Sequence, residues 1–190
     1  MAIHSGRHQF GTDKGRITLR TYRDGLAAQA GHDLIIEATR WSAELVVSPD
    51  ETPASLEVTI DLGALVVREG TGGIKPLTDR DKREIGVTSR KVLSTDRFPE
   101  ATFAATAFTP APGGGGTISG TLNLAGQTKP LELQVSATGA GQYHAITTVR
   151  QTDFGLKPYS GFLGALKVRD TVDVEVDVEL SDAVEQESAA

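Results

Sequence analysis

The segment DTVDVEVDVELSD, residues 170–182, alternates between two kinds of side chain. The apolar positions are Val172, Val174, Val176, Val178 and Leu180, and the acidic positions are Asp173, Glu175, Asp177 and Glu179. Because successive side chains of a strand point to opposite faces, the pattern predicts a β-strand with one solvated acidic face and one apolar face. The apolar face needs a cover, which is either a packed core or a bound apolar molecule.

Short segments with the same period of two recur along the chain, separated by Gly, Pro and Asp clusters. A content of 21 glycines with 5% aromatic residues also favours a turn-rich β structure. The predicted strands are 16–23, 56–67, 101–108, 117–124, 131–137, 142–152 and the segment from 170. Residues 32–47 are predicted to form two strands or one bent strand, with a turn near 39–41. About eight to ten mostly sequential strands form either a closed barrel or a two-sheet sandwich.

One helix is predicted within TDRDKREIGVTSRKVLST, residues 78–95. Thr78 with Asp81 three residues later forms a capping-box pattern, and acidic residues occupy the first turn. Ile85 lies about two turns from Val92 or Leu93 on an otherwise charged segment. The helix should end before Pro99, because the residue preceding proline favours extended geometry.

The length of 190 residues suits a single all-β domain, which we place at residues 15–182. Residues 1–14 and 183–190 are predicted to be flexible tails. We expect no chemistry in either tail.

The numbers of charged residues limit the kinds of molecule that this protein is expected to bind. The 19 Lys and Arg residues and 25 Asp and Glu residues give a formal net charge of −6, and no basic run offsets it, which argues against nucleic acid as a partner. No apolar run reaches the roughly 20 residues of a transmembrane helix, and the first residues do not resemble a secretory signal, so the expected location is cytoplasmic. The absence of cysteine excludes disulfides and thiolate metal sites.

Several motifs suggest catalysis but lack the accompanying parts. DFG at 153–155 occurs without a kinase catalytic loop, and EGTGGIKPLTDR at 69–80 lacks the G-K-[ST] of a phosphate loop. Ser119 lies outside a nucleophile elbow, and the four histidines show no zinc-ligand spacing. We therefore expect a protein that is not an enzyme and that has no metal or cofactor.

The segment KPYSGFLGALKV, residues 157–168, has two interpretations. It contains an apolar patch, Phe162, Leu163, Ala165 and Leu166, bracketed by Pro158, Gly161 and Gly164. The patch is either a short helix that covers one end of the barrel or a mobile gate past which a chain-like ligand enters.

Seven segments in register resemble the YceI-like family of lipid-binding proteins. They are GHDLIIEATRWSAELVV, LEVTIDLGAL, DRDKREI, RFPEATF, GTLNLAGQTKPLELQV, TTVRQTDFGLKP and DTVDVEVDVEL, and they span roughly residues 16–180. The resemblance implies an extended, lipocalin-like antiparallel β-barrel with one flanking helix around an apolar channel for polyisoprenoids or other long-chain amphiphiles. It also makes a homodimer a reasonable expectation.

The sequence therefore predicts a protein that binds, and carries or stores, a long-chain isoprenoid, quinone or other amphiphilic lipid. The residues predicted to line the barrel are Leu34, Ile36, Leu45, Phe103, Leu122, Leu124, Leu133, Val135, Ile146, Phe154, Phe162, Val174 and Val176. The candidates for contact with a headgroup are His32, Asp33, His144, Asp153, Lys157 and Tyr159. The alternative is a structural or stress-related protein with a filled barrel that acts through a protein partner, because small residues such as Ala38, Ala43, Ala105, Gly120 and Ala137 fit either a cavity or dry packing.

Overall fold

A computed structural model describes residues 3–180, which form a large antiparallel sheet curled into a half-barrel, a small second sheet and one α-helix. The strands are β1 (Gly6–Gly11), β2 (Gly15–Thr21), β3 (Arg23–Asp24), β4 (Asp33–Ala38), β5 (Trp41–Val47), β6 (Pro53–Asp61), β7 (Leu65–Thr71), β8 (Glu100–Ala111), β9 (Gly115–Leu124), β10 (Gln127–Gly139), β11 (Gln142–Arg150), β12 (Ser160–Gly161), β13 (Leu166–Val168) and β14 (Thr171–Glu179). The helix is α1 (Asp79–Leu93). The structure confirms the predicted all-β barrel class.

The curled sheet has eleven strands in the order β1-β5-β6-β8-β9-β10-β11-β14-β2-β4-β7. All of its neighbouring strands are antiparallel. Strands β1 and β7 are the two edges, so within residues 3–180 the backbone ladder does not close on itself. The second sheet, β12-β13-β3, joins residues that follow β2 to residues that precede β14.

The predicted turn near 39–41 is confirmed as a corner between β4 and β5. The corner is held by backbone bonds on both sides: the N–H of Thr39 donates to the Ala64 carbonyl, and the N–H of Asp61 donates to the Arg40 carbonyl, each at 3.0 Å. The single strand predicted at 56–67 is wrong. A 3₁₀ turn at 62–64 separates β6 from β7, because the Asp61 carboxylate accepts the Gly63 N–H and ends the extended run.

Helix α1 begins with the predicted capping box. The Thr78 hydroxyl accepts the Asp81 N–H, and the Asp81 carboxylate accepts the Thr78 N–H at 2.9 Å. The Thr78 hydroxyl also donates to this carboxylate, and these bonds lower the pKa of Asp81 below its usual range. Ile85 and Leu93 pack against the core, so the apolar side of the helix covers the β7 edge of the sheet.

The core lies on the concave face of the curled sheet. Its buried cluster comprises Ile17, Leu34, Ile36, Ala38, Trp41, Ala43, Leu62, Leu65, Val67, Ala101, Phe103, Leu122, Leu124, Val149, Phe154 and Leu156. At Gly120 an added Cβ would lie 2.5 Å from Cζ of Phe103, so the missing side chain makes room for this ring. The space beside Gly120 is therefore filled by the Phe103 ring and does not form part of a cavity.

The predicted tail at residues 1–14 is wrong for the part that forms β1. Residues 6–11 pair along β5 from Val47 to Ser42, and the ring of Phe10 packs edge-on against Trp41 with 6.1 Å between centroids. A tail without apolar periodicity becomes a strand here because β5 offers an unpaired edge. The other predicted tail, 183–190, lies outside the described residues, as do residues 181 and 182 of the predicted domain.

Candidate functional site

The concave face carries most of the residues predicted to line a barrel. The cluster contains Leu34, Ile36, Phe103, Leu122, Leu124 and Phe154, and Leu133, Val174 and Val176 pack against it. Strand pairing explains this placement, because Val174 and Val176 of β14 lie beside Leu19 and Ile17 of β2 on one face. Nine of the thirteen predicted residues thus share one apolar surface.

This surface is covered incompletely. The cluster itself is well buried, since Ile17 is 3% and Phe154 is 4% exposed, but the inner residues of β10 and β14 are less buried. The inner valines of β14 and the inner residues Leu131 and Leu133 of β10 are all of intermediate burial. At β10 and β14 the apolar inner wall is therefore not fully covered by the protein's own side chains.

A seam in the wall lies between β10 and β11. The two strands pair from Gln134 opposite Ile146 to Gly139 opposite Gln142, and the rest of each strand pairs with its other neighbour. Beyond Gln134 the Thr147 hydroxyl donates to the Glu132 carbonyl at 2.7 Å and takes the place of a backbone bond. A cleft of about 640 Å³ opens at the seam.

The cleft at the seam is lined by side chains from both faces of the sheet. Its lining combines Leu131 and Val174 of the concave face with Glu132, Asp173 and Glu175 of the outer face. An amphiphile at this position would meet apolar side chains inside and hydrogen-bonding groups outside. Small-molecule sites in proteins combine these two kinds of group in this way.

Trp41 supplies the one buried side-chain polar atom among residues 3–180 that has no hydrogen-bond partner. Its Nε1 is inaccessible to solvent, and the residue belongs to the core cluster. An unpaired indole N–H is a donor that an oxygen atom of a bound molecule can satisfy. The sequence interpretation missed Trp41, since it assigned this residue to the turn between two strands.

Four predicted lining residues lie elsewhere. Leu45 is buried and Val135 half-buried, both outside the main cluster. Ile146 is on the outer face, opposite Gln134 and Glu175, and is 47% exposed.

The remaining misplaced lining residue is Phe162. It is 68% exposed in a 3₁₀ turn at 162–164, so neither this turn nor its phenyl ring covers the barrel. The prediction that Ile146 and Phe162 face inward is therefore wrong.

The predicted headgroup residues divide into groups. His32 and Asp33 lie at the start of β4, where His32 Nε2 hydrogen-bonds the Lys75 carbonyl at 2.8 Å. Asp33 accepts the backbone N–H of Arg23 at 2.8 Å and lies 3.8 Å from its guanidinium. Both side chains thus hold loops together at this end of the half-barrel.

Asp153, Lys157 and Tyr159 are exposed and precede the small sheet. Lys157 lines a second open cleft, of about 670 Å³, beside Phe98, Phe154 and the end of α1. Tyr159 is tied to the small sheet, because its carbonyl accepts the N–H of Val168 at 3.0 Å.

His144 lies apart from the other headgroup candidates. It pairs with Ser136 and Asp177 on the outer face, and its Nδ1 is 2.8 Å from the Asp177 carboxylate. Asp177 is six residues from the start of β14, which corresponds to roughly 20 Å along a strand. Contact of His144 with a headgroup stays a prediction, and it would take place on the outer face.

Charged pairs line the outside of β14 where it meets β2. Arg20 donates to Glu175 at 2.7 Å, and the Tyr22 hydroxyl donates to Asp173 at 3.0 Å. The bond to Asp173 raises the pKa of Tyr22 above its usual range. These contacts fix the register of the acidic outer face.

The described part of the chain contains no group of three or more histidine and acidic side chains that could hold a metal ion. Within residues 3–180, α1 is too short and too polar to cross a bilayer.

Comparison with known proteins adds relatives and a shared fold. The chain is 36% identical over 88 residues to a UPF0312 protein of Shewanella oneidensis, covering 42% of this chain and 44% of the relative. It is 31% identical over 114 residues to a UPF0312 protein of Shewanella sp. W3-18-1, covering 55% of each. The chain thus spans about half the length of the curated relatives it matches.

Among solved structures, BcnA of Burkholderia cenocepacia aligns with a TM-score of 0.61 and 16% identity, covering 88% of this chain and 96% of that one. The Campylobacter jejuni YCEI protein aligns with a TM-score of 0.52 and 16% identity, covering 77% and 85%. At this identity the likeness concerns the fold. The sequence profile of the YceI-like domain matches residues 23–180, most of the chain, and this protein therefore belongs to the YceI-like family.

Proposed function

We propose that this protein binds, without chemically altering, a long-chain isoprenoid, quinone or other amphiphilic lipid against the concave face of its half-barrel. The observation that carries the proposal is the incomplete cover of the apolar inner wall at β10 and β14. An apolar wall that the protein does not cover itself is stabilised when a guest removes it from water.

The energetics favour a long guest. Burial contributes about 0.8 kcal/mol for each CH₂ group, whereas association costs on the order of 4–15 kcal/mol. A chain of several isoprene units exceeds this cost, and a short alcohol does not. The proposal therefore concerns long chains, and the seam between β10 and β11 is their route to the inner wall.

Trp41 makes binding measurable, because it is the single tryptophan of the chain and lies in the core cluster. Titration with a polyprenol delivered from cyclodextrin should shift its fluorescence in a saturable manner. Extraction of protein purified from its native host, followed by mass spectrometry, should also release a stoichiometric lipid.

A matched pair of variants locates the site. Val174→Thr with Val176→Thr places two hydroxyls on the inner wall without changing its shape, and we expect about tenfold weaker binding because these hydroxyls lose solvation under a bound chain. Val66→Thr makes the same change at a 39% exposed position of the outer face, away from the seam, and should leave affinity unchanged. Equal affinity of both variants and the wild type would place the ligand elsewhere.

The second candidate function is a scaffold that acts through a protein partner. The apolar residues exposed on the outside, such as Ile146, favour it. An empty extract, together with a tryptophan signal that no long-chain lipid alters, would support the scaffold and end the lipid proposal.

A further inference from the structure

Three loops meet at the end of the half-barrel where β2 ends and β4 begins. They are residues 22–33, 71–78 and 157–170. The N–H of Ala27 donates to the Ala165 carbonyl at 2.8 Å, and the Arg23 guanidinium donates to the Gly31 carbonyl at 3.1 Å. With the bond from His32 to the Lys75 carbonyl, these contacts join the three loops into one surface, here called the loop end.

The loop end concentrates exposed apolar side chains. Residues 3–180 have eight exposed large hydrophobic residues, and five of them are on these loops. The five are Leu26 at 101%, Ile74 at 78%, Phe162 at 68%, Leu163 at 110% and Tyr159 at 42%. Values near 100% mean that no neighbouring side chain shields Leu26 or Leu163, so each projects separately into solvent.

The backbone at Phe162 and Leu163 has a strained conformation. Phe162 has φ 48° and Leu163 has φ 56°, in the left-handed region that residues with a Cβ rarely adopt. Both residues are bulky and apolar, and both are exposed to solvent in this conformation. Strained backbone of this kind is concentrated at binding sites.

The charge of the loop end is opposite in sign to that of the whole chain. Its three loops contain five cationic and three acidic residues, within a protein of net charge −6. Asp33 faces Arg23, and Asp170 faces Arg150 and Thr152. Lys75, Lys157 and Lys167 are exposed and make no ion pair with any residue of the described range, so they are available to an anionic partner.

From these observations we infer that the loop end docks on an anionic lipid bilayer. Separate apolar side chains can insert into fluid acyl chains without matching pockets, whereas a protein interface needs a contiguous, complementary patch. Tyr159 is an aromatic residue of the kind that favours the headgroup level, whereas Phe162 belongs with the apolar side chains that insert below it. Unpaired lysines attract anionic headgroups. The docking surface follows from exposure and charge, and its use for loading a ligand rests on the proposed function.

Flotation with vesicles of phosphatidylcholine, alone or mixed with phosphatidylglycerol, tests the inference. The wild-type protein should bind the mixed vesicles more tightly than the neutral ones. Leu26→Ser with Leu163→Ser should weaken binding to mixed vesicles by about tenfold for each leucine. Lys75→Gln, Lys157→Gln and Lys167→Gln together should weaken binding to mixed vesicles by about fivefold for each lysine and leave binding to neutral vesicles unchanged.

The control variant is Ile146→Ser with Val87→Ser, which removes exposed apolar side chains elsewhere on the surface and should leave vesicle binding unchanged. Leu26 and Leu163 are fully exposed, so their substitution should not alter the thermal unfolding midpoint. Absence of wild-type binding to mixed vesicles, or equal loss in the control, would overturn the inference.

The leucine variant also distinguishes a bilayer from a second copy of the chain as the molecule that covers the loop end. If the wild type is a dimer and only the leucine variant is monomeric, the surface serves self-association and the inference of bilayer docking is overturned. Failure of cyclodextrin-delivered polyprenol to bind would end the proposed function and leave the vesicle result standing.

Discussion

At the residue scale, one carboxylate holds the 3₁₀ turn at 151–154 to the start of β14. Asp170 accepts the Thr152 hydroxyl at 2.6 Å and the Thr152 N–H at 2.9 Å, and the turn carries Phe154 into the core. These bonds lower the pKa of Asp170 below its usual range. A lowered folded-state pKa stabilises the protein above the unfolded-state pKa, near 4, and this stabilisation is lost as the pH falls through the folded-state value.

Asp170→Asn should therefore reduce the free energy of unfolding at neutral pH, and the difference from the wild type should shrink as the pH falls below about 4. Urea unfolding at a series of pH values measures this difference. Asp153→Asn is the control, because Asp153 is exposed on the same turn and accepts no hydrogen bond from the described residues. A difference for Asp170→Asn that stays constant into acid would contradict the role of its charge.

The alternation of apolar and polar residues along a strand did not show for every residue whether it lies on the inner or the outer face of the sheet. In β14 one set of positions is all apolar, and Val174 and Val176 pack against the core cluster on the inner face. In β11 both sets contain an apolar residue, so Ile146 and Val149 compete for the inside. Pairing with Val172 places Val149 inward, and this long-range register is absent from the local pattern.

At the element scale, helix α1 could be predicted from the sequence, whereas the edge strand β1 and the small sheet could not. The capping box of α1 is a local signal, and both of its bonds form. Strand β1 has no such signal, since its pairing with β5 decides its conformation. The pairing of β3 and β13 in the small sheet also joins segments far apart in sequence.

The seam should appear in hydrogen exchange. The amides of Thr147–Arg150 that point towards β10 have no strand partner there, whereas those of residues 142–146 do. We expect faster exchange at alternate positions of 147–150 than in 142–146, measured by NMR. Uniform protection along β11 would show that the wall is continuous.

At the scale of the whole molecule, a bound lipid should stabilise the folded state. A ligand at about 100 times its dissociation constant contributes about 2.7 kcal/mol, which corresponds to a rise of roughly 5–10 °C in Tm for a domain of this size. Calorimetry with a polyprenol and with a short prenyl alcohol at the same concentration measures the effect. Equal shifts for both alcohols would contradict a site that gains affinity from chain length.

The absence of a backbone ladder between the edge strands β1 and β7 of the described chain has a mechanical consequence. A closed barrel has a diameter set by its strand number and stagger. Here the two edges are not joined by a ladder in the described range, and side-chain packing and α1 set the girth instead. Because strand number and stagger do not fix this girth, we expect a lipid bound as proposed to be selected more strictly by its length than by its thickness.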